Sequence, residues 1–343
     1  MSGDLRGLEE GPVSEWLADH AGLEPPIGLS LIAAGGSNLT FEAEDAAGFR
    51  VALRRPPVRG QLSSAHDVHR EWRILEALHG GVVPVPRPLA YCADEDVTGA
   101  PFYVMAFAEG TILRTAHDAD ALAPEEARRA SDSLVDTLVA LHAVDPDEVG
   151  LGDLGPREGY VTRQLHRWHE QYERGKVREL PLLGKVHDRL VAAVPPESGR
   201  SSLVHGDYRF DNVVLDSAWE VCAVLDWELC TLGDPLADAY WSHMYWADPG
   251  DPFTFLPDSP TLGRSFPRRA EVAQRYATVS GRPLDHMDFY EAFGWWKMAC
   301  VVEGVYTRRL AGGGGGGATR GPETIAARTG ALLDLAAEAA ARL

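Results

Sequence analysis

The sequence predicts an α+β protein with a small strand-rich N-terminal lobe and a larger, mainly helical C-terminal lobe. Three observations carry that reading. Short β-like runs fill residues 27–56 and return at 86–94 and 101–107. After residue 108, apolar residues recur at the three- and four-residue spacing of helices. A chain of 343 residues with 45% hydrophobic content can build one large core or two moderate ones. The reading divides the chain into lobes at 1–107 and 108–343, with a hinge over 104–110.

In order, "IGLSLIAAGG", "SNLTFEAE" and "FRVALRR" read as three strands, the last two joined by the turn "DAAG". Pro56-Pro57 ends the third, because proline cannot donate to a sheet ladder. Val68, Trp72, Leu75 and Leu78 mark one face of a helix over 65–78, which Gly80-Gly81 stops. "PRPLAYCAD" and "PFYVMAF" read as two more strands with "EDVTGAP" as the turn between them. That makes five strands and one helix before residue 108. Pro124 then starts a helix with Leu134, Leu138 and Leu141 on one face. "REGYVTRQLHRWHEQYERG" and "LPLLGKVHDRLVAAV" follow as helices, with four more around 235–244, 268–278, 287–310 and 322–343. The run Gly312–Gly317 reads as a flexible loop.

Composition narrows the function. The net charge of -19 argues against nucleic acid, whose phosphates need a basic face, and is in keeping with simple solubility. No stretch reaches the ~20 apolar residues of a membrane span. The acidic N-terminus lacks the apolar segment of a signal peptide, so a cytoplasmic protein is expected. Cys92, Cys222, Cys230 and Cys300 show no zinc spacing and read as buried thiols. Lysine stands only at 176, 185 and 297.

The chemistry concentrates in "SSLVHGDYRFDNVVLD" and "WEVCAVLDWE". Asparagine occurs only at 38 and 212, and Asn212 lies five residues after Asp207. An apolar run enters a tight turn at His205-Gly206, Asp207 follows, and Val213-Val214-Leu215 resumes as a strand. A second apolar strand ends at Asp226. Magnesium takes oxygen ligands, one or two from protein and the rest from phosphates and water. Asn212 offers an amide oxygen and Asp226 a carboxylate. Asp207 is left to orient or deprotonate an attacking hydroxyl. Phosphoryl transfer needs this positioning and charge neutralisation more than covalent chemistry. His205 reads as a brace for the loop, Asp211 as a turn residue, and Asp234 and Asp238 as caps or anchors of the next helix.

"LVHGDYRFDNVVLD" and "AVLDWELCTLGDPLADAYW" resemble the aminoglycoside and choline phosphotransferases, with their H-G-D-x-x-x-x-N and L-D-W segments. The resemblance implies a bilobal protein-kinase-like fold, ATP and Mg²⁺ as cofactors, Asp207 as catalytic base, and Asn212 and Asp226 as metal ligands. Kinase-like small lobes carry V-A-I-K on the third strand, the lysine pairing with a helix glutamate. Here the strand reads Val51-Ala52-Leu53-Arg54. Alternation puts Ala52 and Arg54 on one face, so Ala52 can lie against adenine while Arg54 holds phosphate. Glu71 is the expected partner of Arg54, against the plainer reading of a solvated helix acid. Arg55, on the opposite face, is the second choice for the cation. Gly36, Ser37 and Asn38 form the expected phosphate loop, and the backbone around Met105 and Phe107 the adenine-facing hinge.

"SAHDVHREWRILEAL", "YVTRQLHRWHEQY" and "WWKMACVVEGVY" further resemble the kinase-like domain fused to some acyl-CoA dehydrogenases. That likeness implies a small hydroxylated acceptor, possible as a hydroxyacyl or hydroxyacyl-CoA. In that subgroup, too, arginine stands at the lysine position. Arg163 and Arg167, at i and i+4, are able to meet an anionic head group. Trp168, Tyr172, Trp295 and Trp296 read as core, and Glu303 as part of an acceptor wall. The alternatives are an aminoglycoside-type antibiotic kinase and a nucleotide-binding pseudokinase. The acceptor and the oligomeric state stay open at this point.

Overall fold

A computed structural model describes residue 5 and residues 8–34, 38–57, 67–197, 199–251, 253–311 and 321–343. Gly36, Ser37 and the glycine run 312–317 lie outside the described residues.

The first elements are α1 (Glu10–Ala21), β1 (Gly28–Ala34), β2 (Leu39–Glu44), β3 (Arg50–Arg55), α2 (Val68–Leu78), β4 (Pro88–Cys92), α3 (Glu95–Thr98) and β5 (Phe102–Ala106). There follow α4 (Ala116–Asp120), α5 (Pro124–Ala143), α6 (Tyr160–Gly175), α7 (Pro181–Ala192), β6 (Ser202–Val204), β7 (Val213–Leu215), β8 (Val221–Val224) and β9 (Thr231–Gly233). The chain closes with α8 (Pro235–Tyr245), α9 (Arg269–Ser280), α10 (Met287–Leu310) and α11 (Pro322–Ala340). No helix among the described residues is long and apolar enough to cross a membrane.

Two compact units divide the chain. One holds 1–112, 149–151 and 212–230, the other 113–148, 152–211 and 231–343. This division differs from a simple cut at 107/108. The segment 212–230 groups with the strand-rich unit because Thr111 and Leu215 exchange backbone hydrogen bonds of 2.8 Å. Glycine is required beside that bridge. A Cβ on Gly110 would collide with the Leu215 carbonyl and the Val214 side chain.

In the strand-rich unit an antiparallel sheet runs β1-β2-β3-β5-β4. Phe41, Leu53, Phe102 and Val104 fill one face and meet Val13 and Leu17 of α1. Helix α1 was not among the expected elements, although Val13, Leu17 and Ala21 show helical spacing in its sequence. The "EDVTGAP" turn also proves to be a helical turn, α3, capped by the Asp94 side chain and closed by Gly99 at φ 80°. The expectation of one helix before residue 108 is therefore corrected to three among the described residues. Arg55, the second choice for the phosphate cation, is fully buried and donates to the Thr98 carbonyl at 2.7 Å. That bond ties β3 to α3 and takes Arg55 out of contention. Cys222 is exposed on β8, not buried, because its neighbours Val221 and Ala223 take the inward positions.

In the helical unit, β6 pairs with β9, while α5 to α11 supply most of the core. Trp296 is fully buried, and Trp295 and Tyr172 nearly so, as core readings require, whereas Trp168 is only half-buried and is not core. Glu303 forms no free wall. It is buried and takes a two-pronged ion pair from Arg178 at 2.8 and 2.5 Å.

Candidate active site

Two constellations carry the expected chemistry, one in each unit. In the strand-rich unit the anchor is Glu71. Helix α2 starts at the Asp67 cap and buries Val68, Ile74, Leu75 and Leu78. Glu71 falls on this same buried stripe and is 1% exposed, so it is not a solvated acid. A buried carboxylate needs partners, and it has three. Asn38 Nδ2 donates to it at 2.7 Å, the Tyr103 hydroxyl at 3.0 Å, and Arg54 Nε lies at 2.8 Å. Tyr103 arrives there because it stands opposite Arg54 in the β3–β5 register. The same register sets Ala52 opposite Met105, bringing together the two residues assigned to the adenine side.

Arg54 reaches further than Glu71. Its Nη2 lies 2.5 Å from Asp226 Oδ1 and 3.6 Å from Glu228 Oε2. Burial works to lower its pKa, but Glu71, Tyr103, Asp226 and Glu228 outweigh burial and raise it. Arg54 therefore stays charged. Burial also pushes the Glu71 carboxyl up, with Arg54 pulling the other way.

Asp226 is positioned by the β7–β8 ribbon. Val213 pairs with Val224, and Leu225 then donates to the Asn212 carbonyl at 2.8 Å. Asn212 and Asp226 thus stand at the same end of the ribbon. Asp226 adopts φ 63° and ψ 63°, a left-handed conformation that costs about 1–2 kcal/mol. The buried Trp227 holds the turn by donating to the Val224 carbonyl at 3.0 Å. An amide oxygen and a carboxylate at one ribbon end form the hard-oxygen donor pair that magnesium takes. Their chemistry fits that ion.

The hinge position behaves differently. The N–H groups of Ala106 and Phe107 already donate to the Arg87 and Arg50 carbonyls, at 2.8 and 3.3 Å. The Phe107 ring also carries the Arg50 guanidinium, 4.1 Å from its centroid. Phe107 therefore has no free N–H for an adenine edge.

In the helical unit Asp207 follows β6. The turn before it is held by Asp238 of α8, whose oxygens accept from His205 N at 2.7 Å and Gly206 N at 2.8 Å. Gly206 at φ 84° permits that turn. His142 Nε2 adds a 3.2 Å contact to Asp238, and His142 Nδ1 is fixed by the Tyr276 hydroxyl at 2.8 Å. Burial tends to raise the Asp238 pKa, but His142, His205 and Gly206 hold it below the ordinary value. Asp234 caps α8 through Leu236 N at 2.9 Å and accepts from Tyr290 at 2.6 Å.

Asp207 itself receives the Tyr245 hydroxyl on Oδ1 at 2.5 Å and has Arg209 Nε 3.5 Å from Oδ2. His205 Nδ1 accepts from Asp207 N at 3.3 Å, so His205 braces the loop from within. The carboxylate is held at one oxygen by a buried phenol and keeps the other near a cation. Arg209 also pairs with Asp211 at 3.2 Å. Sequence reasoning missed Tyr245, Arg209 and Glu228. Glu228 had a signal, its adjacency to the Asp226 segment; Tyr245 had none, being 38 residues away.

The chain belongs to the phosphotransferase enzyme family, whose model matches residues 28–279. Mouse acyl-CoA dehydrogenase family member 10 is 33% identical over 302 residues, which is 84% of this chain but 27% of that protein. The chain thus spans about a quarter of that relative's length. A crystal structure from Ralstonia eutropha, of a protein assigned to the aminoglycoside phosphotransferases, matches with TM-score 0.79 and 29% identity. The match covers 97% of this chain and 98% of that one. The streptomycin–ATP complex of APH(2'')-IIa shares the fold at TM-score 0.59 and 14% identity, over 95% and 96% of the two chains. The fold is that of the protein-kinase-like phosphotransferases.

Proposed function

We propose that this chain is a cytoplasmic ATP- and Mg²⁺-dependent kinase that phosphorylates the hydroxyl of a small molecule, of hydroxyacyl or hydroxyacyl-CoA type. The observation that carries the reading is the Arg54 cluster. The cation that replaces the usual lysine pairs with Glu71 and also with the proposed metal ligand Asp226. A degenerate nucleotide site has no need of that arrangement, and this weighs against a pseudokinase.

In the proposed reaction the acceptor oxygen forms a bond to the γ-phosphorus of ATP, the bond from that phosphorus to ADP breaks, and the hydroxyl proton passes to Asp207. The Tyr245 hydroxyl and Arg209 orient the Asp207 carboxylate for that proton. Arg54 clamps the nucleotide phosphates with guanidinium donors suited to two-point contact. Asn212 and Asp226 hold Mg²⁺, which when bound neutralises charge on the phosphates. ATP as donor is supported by the fold neighbour captured with it. An acyl acceptor is supported by the relative's name.

Replacing Asp207 by Ala should lower transfer about a thousandfold while leaving nucleotide affinity near wild type. Asp226→Ala should instead weaken Mg²⁺–ATP binding by about tenfold or more. The check is steady-state phosphorylation beside nucleotide titration. Undiminished turnover by Asp207→Ala, on an acceptor the wild type phosphorylates, refutes the assignment.

A further inference from the structure

Lysine is scarce in this chain, and one of its three copies is buried. Lys297 lies on α10 and is 8% exposed. Among the described residues no hydrogen-bond acceptor or ion-pair partner is found for its ammonium group. Its neighbours are aromatic. Nζ sits 3.7 Å from the centroid of the Trp241 ring on α8 and 6.0 Å from that of Trp168 on α6. The charges it senses are Asp238 and Asp207 on the attractive side and Arg167 on the repulsive side, while burial pulls its pKa down to about 8. At neutral pH it remains mostly protonated.

Neither carboxylate is available to it as a partner. Asp238 is committed to the loop backbone and His142, and Asp207 to Tyr245 and Arg209. Arg167, one α6 residue away from Trp168, has no ion pair among the described residues and sits 5.8 Å over that ring. Two cations without an acid among the described residues, the buried Lys297 and the exposed Arg167, thus border one pair of tryptophans. A ring face attracts a cation but satisfies none of its three N–H donors. An anionic oxygen would satisfy those donors. Contact also links this spot to Asp207. The Trp241 and Tyr245 rings pack edge to face at 6.1 Å, one turn apart on α8, and Tyr245 holds Asp207.

We infer that Lys297, flanked by Trp168, Trp241 and Arg167, is the specificity-determining residue that reads an anionic oxygen of the acceptor, foremost a carboxylate. The inference rests on the phosphotransferase reading for the word acceptor, and the binding site itself stands without it. It sets the substrate class apart from aminoglycosides, whose ammonium groups Lys297 and Arg167 repel.

The test uses the full chain with straight-chain hydroxy acids bearing the hydroxyl at successive carbons, their methyl esters, their CoA thioesters, and kanamycin. Binding is measured by calorimetry and phosphorylation by ADP release, for wild type, Lys297→Met, Lys297→Arg and Asp207→Asn. Wild type should favour an acid over its ester. Lys297→Met should raise Kd and KM for the acid about 30-fold, as expected for a lost hydrogen bond to a charged group. It should leave kcat, the esters and ATP affinity near wild type, and Lys297→Arg should restore part of the loss. Lys297→Met should also melt no lower than wild type, which a purely structural lysine would not allow. A loss confined to the thioesters identifies the coenzyme phosphates as the anion instead. An unchanged acid-to-ester preference in Lys297→Met, or no acid or thioester bound by wild type, overturns the inference. Lys297-dependent acid binding without transfer by any protein leaves the anion site intact and defeats the kinase reading. In Asp207→Asn, acid binding should persist while transfer is lost.

Discussion

Each unit buries a cation near carboxylates, and the two treat it in opposite ways. Around Arg54 the acids are spent on the side chain. Glu71 and Asp226 lie within 2.8 Å of its nitrogens, and Glu228 at 3.6 Å. Around Lys297 the buried acid that acts on it most strongly, Asp238, is spent on backbone N–H groups and His142, and the ammonium lies against indole. The difference shows that a buried charge is not of one kind. Arg54 is electrically closed and holds two secondary-structure elements in register. Lys297 is electrically open and stands ready for an anion supplied from outside. The closed cluster suits a site that orders phosphates by exchange of partners, and the open one a site that selects its ligand.

Substitutions test the contrast, beginning with the largest effect. Asp238→Ala removes the acceptor for two loop N–H groups and leaves His142 without its partner. It should destabilise the fold by about 3–5 kcal/mol, read as a lower midpoint in urea. If stability is unchanged, Asp238 is not committed to the loop and the account of why Lys297 lacks an acid fails.

The helical unit's dislike of buried charge has a second witness in His243. Burial, helped by Arg269, lowers its pKa to about 4, against an ordinary 6.5. A depressed histidine contributes stability that is present in full above pH 6.5 and lost as pH falls through 4. Over that window the unfolded state binds the proton first, so the loss should approach about 3 kcal/mol. Urea titrations across the window should show a slope that His243→Phe flattens. An equal slope in the variant would locate the pH sensitivity elsewhere.

The smallest effect falls on the closed cluster. Arg54→Lys restores the residue usual at this strand position but supplies one nitrogen where the guanidinium supplies two contacts. It should cost about 1 kcal/mol of stability and raise the KM for ATP by up to about tenfold. Wild-type values for both would mean that the Arg54 bridge from Glu71 to Asp226 is dispensable.

Much of this was legible in the sequence. The strand order through β3, the helical character after residue 108, and the Asp207, Asn212 and Asp226 spacing are local patterns, set by period and by turn chemistry. Arg54 and Glu71 followed from the resemblance of Val51-Ala52-Leu53-Arg54 to the kinase-like V-A-I-K strand with its helix glutamate, alternation adding only that Ala52 and Arg54 share a face. Helix α1 is hard to read locally because its apolar stripe is only Val13, Leu17 and Ala21, among acidic and small residues. Arg55 lies on the opposite face, as alternation requires, but alternation does not tell what covers that face, here α3.

The sequence by itself determined the class of fold, the family and the oxygen-bearing residues, because each depends on neighbours a few positions apart. Only the tertiary structure decided which partners those residues keep. Packing alone brings Tyr245 to Asp207, Asp238 to the His205-Gly206 turn, and Trp241 to Lys297, across separations no local period encodes. Among the described residues it also decided that Arg54 meets acids and Lys297 meets indole rings. A charge out of water is stable only beside its compensation, and the chain's long-range contacts determine where that compensation lies.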